Sequence, residues 1–268
     1  MIKSGAAPAR LAVCPGDDLS RGAATALAAE LQLPQLPMAT DPRRCDSIDA
    51  LLLVFVSGIA LQITGKKAPG PVTVDFGAAS MRHRRGAGHN ELLGKAVGMG
   101  KKGRLAVLDA TAGLGRDSYV LADLGAAVTC VERNPIAAAM LKSGLELAQN
   151  SADQWLCATA SRIQLIIGDA TGLTRETLAN TDVIYLDPMF PQREKSAAVK
   201  KEMALFQLLL QHEEGSNEAL LDWALGCPVA RVVVKRPLKA PSLGSRAPSH
   251  CIKGKSVRYD VHVLSGLS

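Results

Sequence analysis

The sequence predicts an α/β protein, a mostly parallel sheet with helices on both faces, preceded by a small N-terminal α/β unit. Three observations predict it. From Arg104 onward short apolar runs alternate with helical patterns, the order that builds parallel sheets from β-α-β crossovers. Two loops, Asp109-Ala-Thr-Ala-Gly-Leu-Gly-Arg-Asp117 and Asp187-Pro-Met-Phe-Pro191, each follow such a run, at the strand ends where open sheets hold their ligands. At 268 residues and 47% apolar content the chain can bury one full core and still carry an accessory domain.

Residues 1–80 read as the accessory domain and 81–268 as the main one. Leu11–Cys14 is a strand, and Asp18–Leu31 has helical spacing and stops before Pro34. Leu51–Val56 and Ile59–Thr64 flank Ser57-Gly58 and read as a hairpin; Val72–Phe76 is a third strand. Met81–Lys102 is a transition with a basic cluster, Met81-Arg-His-Arg-Arg85, and a short helix over Glu91–Val97. In the second domain the strands are Leu105–Leu108, Ala127–Val131, Ile163–Ile167, Asp182–Leu186, Arg231–Val234 and Val257–Val263. The helices are Gly115–Leu124, Pro135–Ala148 with Asn134 as N-cap, Lys195–Gln211 and Asn217–Leu225.

Composition excludes several classes. Cys14, Cys45, Cys130, Cys157, Cys227 and Cys251 are scattered without a C-x-x-C pair, so a zinc site is not expected and reduced thiols are. Met1–Arg10 has no apolar stretch of a secretory signal. The longest apolar segment, Ala50–Leu61, is interrupted at Ser57-Gly58 and is too short to span a bilayer. A cytoplasmic monomer without metal is expected. The net charge of +6 suits an anionic partner.

The first loop fits a nucleotide-like cofactor. Gly113 and Gly115 permit a tight turn and close backbone approach, and the helix beginning near Arg116 points free N–H groups at the ligand. Glu132 ends the next strand, 23 residues after Asp109, where a carboxylate can accept from both ribose hydroxyls. Asp169 ends the third strand and could reach an adenine amino group with help from the Ala170 backbone; its alternative is an Asx-turn or N-cap. Asp109 either touches the amino-acid end of the cofactor or braces the loop. Asp117 would repel a pyrophosphate but accept from a methionine ammonium, which favours S-adenosylmethionine over NAD.

The second loop fits alkylation of an amino group on a flat base. An exocyclic amine is a poor nucleophile because its lone pair is conjugated with the ring. Asp187 and the Pro188 carbonyl could accept its two hydrogens and aim the lone pair, and proline leaves its carbonyl free while stiffening the loop. Phe190 offers a face for an extruded base. Positioning and electrostatics then suffice for a direct displacement.

At these loops the chain resembles class I S-adenosylmethionine-dependent methyltransferases, whose fold is Rossmann-like with a seven-stranded sheet. Asp187-Pro-Met-Phe190 is similar to the Asp/Asn-Pro-Pro-Tyr/Phe motif of amino-directed enzymes, with Met189 at the second proline. Asp109–Asp117, Glu132-Arg-Asn-Pro135, Tyr185–Pro191, Lys195-Ser-Ala-Ala-Val-Lys-Lys-Glu-Met203 and Val232-Val-Val-Lys-Arg-Pro237 together resemble the ribosomal RNA small subunit methyltransferase J family. That resemblance implies methylation of N2 of one guanine in the 3′-terminal stem-loop region of 16S rRNA, in naked RNA or the 30S subunit. It implies cofactor contacts at Arg116, Asp117, Glu132, Arg133, Asp169, Ala170 and Asp187.

Between Gln192 and Asp260 there are 12 Lys or Arg against 7 Asp or Glu. Lys195, Lys235 and Arg236, with Arg84 and Arg85 upstream, are the expected RNA contacts, Lys235-Arg236-Pro237 first because it ends a strand on the ligand side. Lys239, Arg246, Lys253, Lys255 and Arg258 flank the same face. The competing readings are a non-catalytic RNA-binding or assembly protein, an NAD-dependent oxidoreductase, and a DNA adenine or cytosine N-methyltransferase.

Overall fold

The computed structural model describes residues 9–38, 40–86, 89–101, 103–188, 208–209 and 217–267. The chain forms two compact units. The first contains a four-stranded sheet in the order β1-β2-β3-β4, from Leu11–Pro15, Ala50–Phe55, Gly58–Ile63 and Val72–Thr73. β1 and β2 run parallel, and β2 and β3 form the expected hairpin. Helix α1 (Arg21–Glu30) buries Ala24, Leu27 and Ala28. It follows a single 3-10 turn started by a reciprocal cap between Asp17 and Ser20, which satisfies donors that a helix start leaves open. The same unit takes in Asn134–Leu147, so it is not one stretch of chain. Asn134 is the N-cap of α5 (Pro135–Gln149) as expected: its Oδ1 accepts from the Ile136 and Ala137 amides at 3.0 and 3.2 Å.

The second unit holds the seven-stranded sheet, in the order β10-β11-β9-β8-β5-β6-β7. Its strands are β5 (Ala106–Asp109), β6 (Ala127–Glu132), β7 (Ile163–Ile167), β8 (Val183–Leu186), β9 (Arg231–Pro237), β10 (His250–Lys253) and β11 (Val257–Val263). β5 to β9 pair in parallel; β11 and β10 are antiparallel additions at one edge. Successive strand residues face opposite sides. Leu108, Val131, Ile184, Leu186, Val232 and Val234 share a core with Leu178 of α7 (Arg175–Ala179) and Leu221 and Ala224 of α8 (Asn217–Leu225). The other face takes α4 (Arg116–Asp123), whose Ser118 meets Asp109 and whose Asp117 meets Tyr185. Strands buried on both sides explain the uninterrupted apolar runs.

Four helices and strands were not expected: Ala79–Gly86, Gln154–Ala160, Arg175–Ala179 and His250–Lys253. The basic cluster lies on α2 (Ala79–Gly86), and α3 begins earlier, at His89–Val97. α2 has few apolar residues, so its pattern is faint. It is anchored instead by buried Met81, by Arg82 paired with Asp153 at 2.7 Å, and by Arg82 and Arg85 stacked over Trp155 at 5.3 and 4.9 Å. Trp155 belongs to α6 (Gln154–Ala160), and meets Tyr119 edge-on while Phe76 stacks on Tyr119 at 4.3 Å. β10, within Pro241–Lys255, is mostly exposed, and an exposed edge strand has no alternation to read. β4 ends at Thr73, short of the expected Phe76.

Candidate active site

The first loop is built by backbone geometry. Gly113 and Gly115 have φ of 55° and 72°, the left-handed region that favours glycine. The Gly115 carbonyl accepts from the Tyr119 amide at 2.9 Å, so the turn leads directly into α4. Glu132, at the end of β6, accepts from the Gly113 amide through Oε2 at 2.6 Å. One carboxylate therefore ties two strand ends together at the expected ribose position.

Asp109 is fully enclosed. It accepts from the Thr111 amide at 3.1 Å and is hydrogen-bonded to Ser118 Oγ, the loop-bracing arrangement. Burial pushes its carboxyl up to about 7.

The second loop leaves the adjacent strand. The Asp187 amide donates to Thr111 Oγ1 at 2.7 Å, fastening the Asp187-Pro188 segment to the first loop. Lys235 Nζ donates to Asp117 Oδ2 and to Asp187 Oδ2, both at 2.7 Å. Buried Tyr185 donates its hydroxyl to the same Asp117 oxygen at 2.6 Å. Burial opposes the charge of Lys235, but the Asp117 and Asp187 carboxylates outweigh it and hold the ammonium well above the usual lysine value. Tyr185 is likewise raised, by burial first and by the neighbouring carboxylates second. Sequence reasoning missed Thr111, Ser118 and Tyr185, and it expected Lys235 at RNA, where the structure bonds it to Asp117 and Asp187. The tyrosine carried a signal, a hydroxyl inside an apolar run that needs a partner once buried.

The remaining candidates spread around this centre. Asp169 is exposed and caps a 3-10 turn at Ala170–Gly172, accepting from the Thr171 amide at 2.8 Å and hydroxyl at 2.6 Å; these Thr171 bonds lower its carboxyl below the usual range. Ala170 is buried, Arg116 and Arg133 are exposed, and Pro188 is buried. Arg236, expected at RNA, is 4% exposed and donates to the Pro241 carbonyl at 3.1 and 2.6 Å. Its guanidinium closes a turn within the protein instead of facing solvent. Arg258 is also buried, paired with Asp260 at 2.7 Å. Arg85 pairs with Asp123 at 3.2 Å. Phe190, Lys195, the expected Lys195–Gln211 helix over nearly all its length, and the side chain of Arg84 lie outside the described residues. Among the described residues no cluster of His, Cys, Asp or Glu could hold a metal ion, and no helix is long and apolar enough to cross a membrane. All six cysteines are free.

The site's surroundings have close counterparts. Residues 38–264 match the family described as "Putative SAM-dependent methyltransferase", SAM being S-adenosylmethionine. The chain is 43% identical over 261 residues to ribosomal RNA small subunit methyltransferase J of Marinobacter nauticus, covering 96% of this chain and 92% of the relative. It is 45% identical over 247 residues to the protein of the same name from Thioalkalivibrio sulfidiphilus, covering 91% and 93%. A solved structure of a SAM-dependent methyltransferase from Neisseria gonorrhoeae is 33% identical, with a TM-score of 0.69 and coverage of 96% of this chain and 97% of that one. An NAD-dependent oxidoreductase is thereby excluded.

Proposed function

This chain belongs to the ribosomal RNA small subunit methyltransferase J family, and we propose that it methylates the exocyclic N2 of one guanosine in the 3′-terminal stem-loop region of 16S rRNA. The observation that carries the reading is the fastening of the two loops: Asp187 is bonded to Thr111 of the glycine loop and, through Lys235, to Asp117 at the start of α4. A binding loop and a reacting loop are thus held as one site.

The donor set fits S-adenosylmethionine, because Asp117 and Asp187 gather negative charge where a cationic ligand is favoured and Glu132 stands at the strand end suited to a ribose. Bound there, the cofactor supplies a sulfonium methyl group. Asp117 would hold the methionine ammonium, and Glu132 the ribose hydroxyls. Arg116, Arg133, Asp169 and Ala170 border the remaining nucleoside. Asp187 and the Pro188 carbonyl accept the two N2 hydrogens and turn the nitrogen lone pair toward the methyl carbon. Asp187 would take the proton that N2 loses on methylation. Phe190 supplies the stacking face. RNA phosphates are met by exposed Lys239, Lys253 and Lys255, with Arg84, Arg85 and Lys195 as further contacts. The protein acts as a cytoplasmic monomer.

The test is transfer of tritium from labelled S-adenosylmethionine to 16S rRNA and to 30S subunits that lack the modification, with DNA as control, followed by nucleoside mass spectrometry. The expected product is N2-methylguanosine at a single site, and none from Asp187→Ala, which should still bind cofactor. Label in DNA would move the assignment to a DNA enzyme. Cofactor binding without transfer to any of these would defeat the substrate assignment, and absent binding would favour an RNA-binding or assembly role.

A further inference from the structure

Lys235 and Asp187 are brought together by strand register. β8 and β9 run parallel with Leu186 opposite Val234, so the next residues, Asp187 just past the end of β8 and Lys235 still within β9, stand side by side. Asp117 comes from a third element, the first turn of α4. Two carboxylates sharing a small site repel each other, and here one ammonium lies 2.7 Å from an oxygen of each. The lysine side chain is 22% exposed, and Asp117 only 8%. A lysine that served as a phosphate contact would project into solvent and leave its charge for RNA. This one is turned inward, charged, and bonded to both loops.

We propose that Lys235 is a positioning residue for methyl transfer, a clamp that ties the cofactor-side carboxylate Asp117 to the acceptor-side carboxylate Asp187, and that it does not contact RNA phosphate. The inference rests on the methyltransferase reading of these two loops. Donor and acceptor must be held within a few tenths of an ångström for in-line displacement. Thr111 fastens the Asp187 backbone; Lys235 fastens its side chain and joins it to the residue assigned to the methionine ammonium. The buried hydroxyl of Tyr185 on the same Asp117 oxygen limits the positions that carboxylate can take. The clamp therefore consists of one ammonium, two carboxylates and one phenol, drawn from β8, β9, α4 and the loop after β8.

Steady-state kinetics on 16S rRNA and calorimetric titration with S-adenosylmethionine test it, using wild type, K235M and K235R. K235M should lose about 100-fold in kcat, the scale of removing one preorganising donor, with RNA KM changed less than about twofold. K235R keeps the charge and a two-pronged donor and should recover at least about tenfold of that loss. In cofactor titrations, which need no turnover, the effect of Asp187→Asn on Kd should differ by at least about threefold between wild-type and K235M backgrounds, the non-additivity of residues sharing one network. An RNA KM raised about tenfold at unchanged kcat, with the slope of log KM against log salt reduced by about 0.7, would make Lys235 a phosphate contact and overturn the proposal. Unchanged kinetics with a lowered Tm would reduce it to a stabilising ion pair, and additive Kd effects would deny the coupling. Should K235M not fold, K235R is compared with wild type directly: reduced kcat at constant RNA KM supports the clamp, and any other pattern overturns it. Failure of the methyltransferase reading itself would show separately, as absence of transfer by the wild-type protein.

Discussion

Asp109 illustrates how a single side chain can be structural at the centre of a site. It is 1% exposed and its partners are Thr111 of the loop that follows it and Ser118 of α4. Burial raises its carboxyl from 3.8 to about 7. The folded protein therefore holds this proton where the unfolded chain has released it. The group's contribution to stability is complete below about pH 4 and is lost as pH rises toward 7, by about 4 kcal/mol at most. Urea midpoints of wild type should fall across that window relative to Asp109→Asn, which has no proton to lose; parallel pH profiles for the two proteins would contradict this. Sequence reasoning left Asp109 between cofactor contact and brace, and its burial and its bonds to Thr111 and Ser118 fit the brace. It also put Lys235 and Arg236 on RNA from their place at a strand end. Neighbours on one strand face opposite sides, so one went into the site and the other under the Pro237–Pro241 turn, and only the tertiary partners reveal either destination.

Among the elements, the strand–glycine loop–helix unit was the most legible, because each part has its own local rule: an apolar run, two left-handed turns, and a helix start. The same substitution should have opposite signs inside and outside it. Gly115 has φ 72°, so Gly115→Ala should lower the unfolding free energy by about 1–2 kcal/mol and weaken cofactor binding by displacing the α4 N–H groups. Gly22 is in α1, and a methyl group added at its Cα would meet nothing within 4 Å, so Gly22→Ala should raise it by about 0.5–1 kcal/mol. Equal effects in urea denaturation would show that backbone conformation is not what distinguishes the two positions. The central strands of the large sheet were legible for the same reason, since burial on both faces makes them continuous apolar runs. α2 and β10 were not. α2 is held by partners distant in sequence, Asp153 and Trp155, and β10 by backbone pairing with Arg258–Val261 of β11, and neither carries a period of its own.

Across the second unit, the antiparallel edge gathers exposed lysines at one end of the sheet. Val234 lies beside Leu186, Arg258 beside Arg236, and Lys253 beside Arg258. Lys253 therefore sits level with the Asp187-Pro188 loop, three strands across, or about 14 Å at the usual inter-strand spacing. Lys255 follows in the β10–β11 turn, and Lys239 in the turn after β9; all three are exposed, and their neighbours Arg236 and Arg258 are buried in the framework that supports these turns. The net charge of +6 thus divides into charges that hold the fold and charges that face outward at the end of the sheet where the reaction is assigned. Phosphate contacts from the outward set release counterions, at about 0.7 in the salt slope for each contact on a single strand. A K253A/K255A double variant should bind 16S rRNA with a slope of log K against log salt shallower by about 1.4, while its calorimetric affinity for S-adenosylmethionine stays at the wild-type value. Filter-binding titrations over a range of salt concentrations measure the first quantity. A wild-type slope would place the RNA elsewhere on the molecule, whereas a change in cofactor affinity would mean that the edge supports the site mechanically and not through its charge.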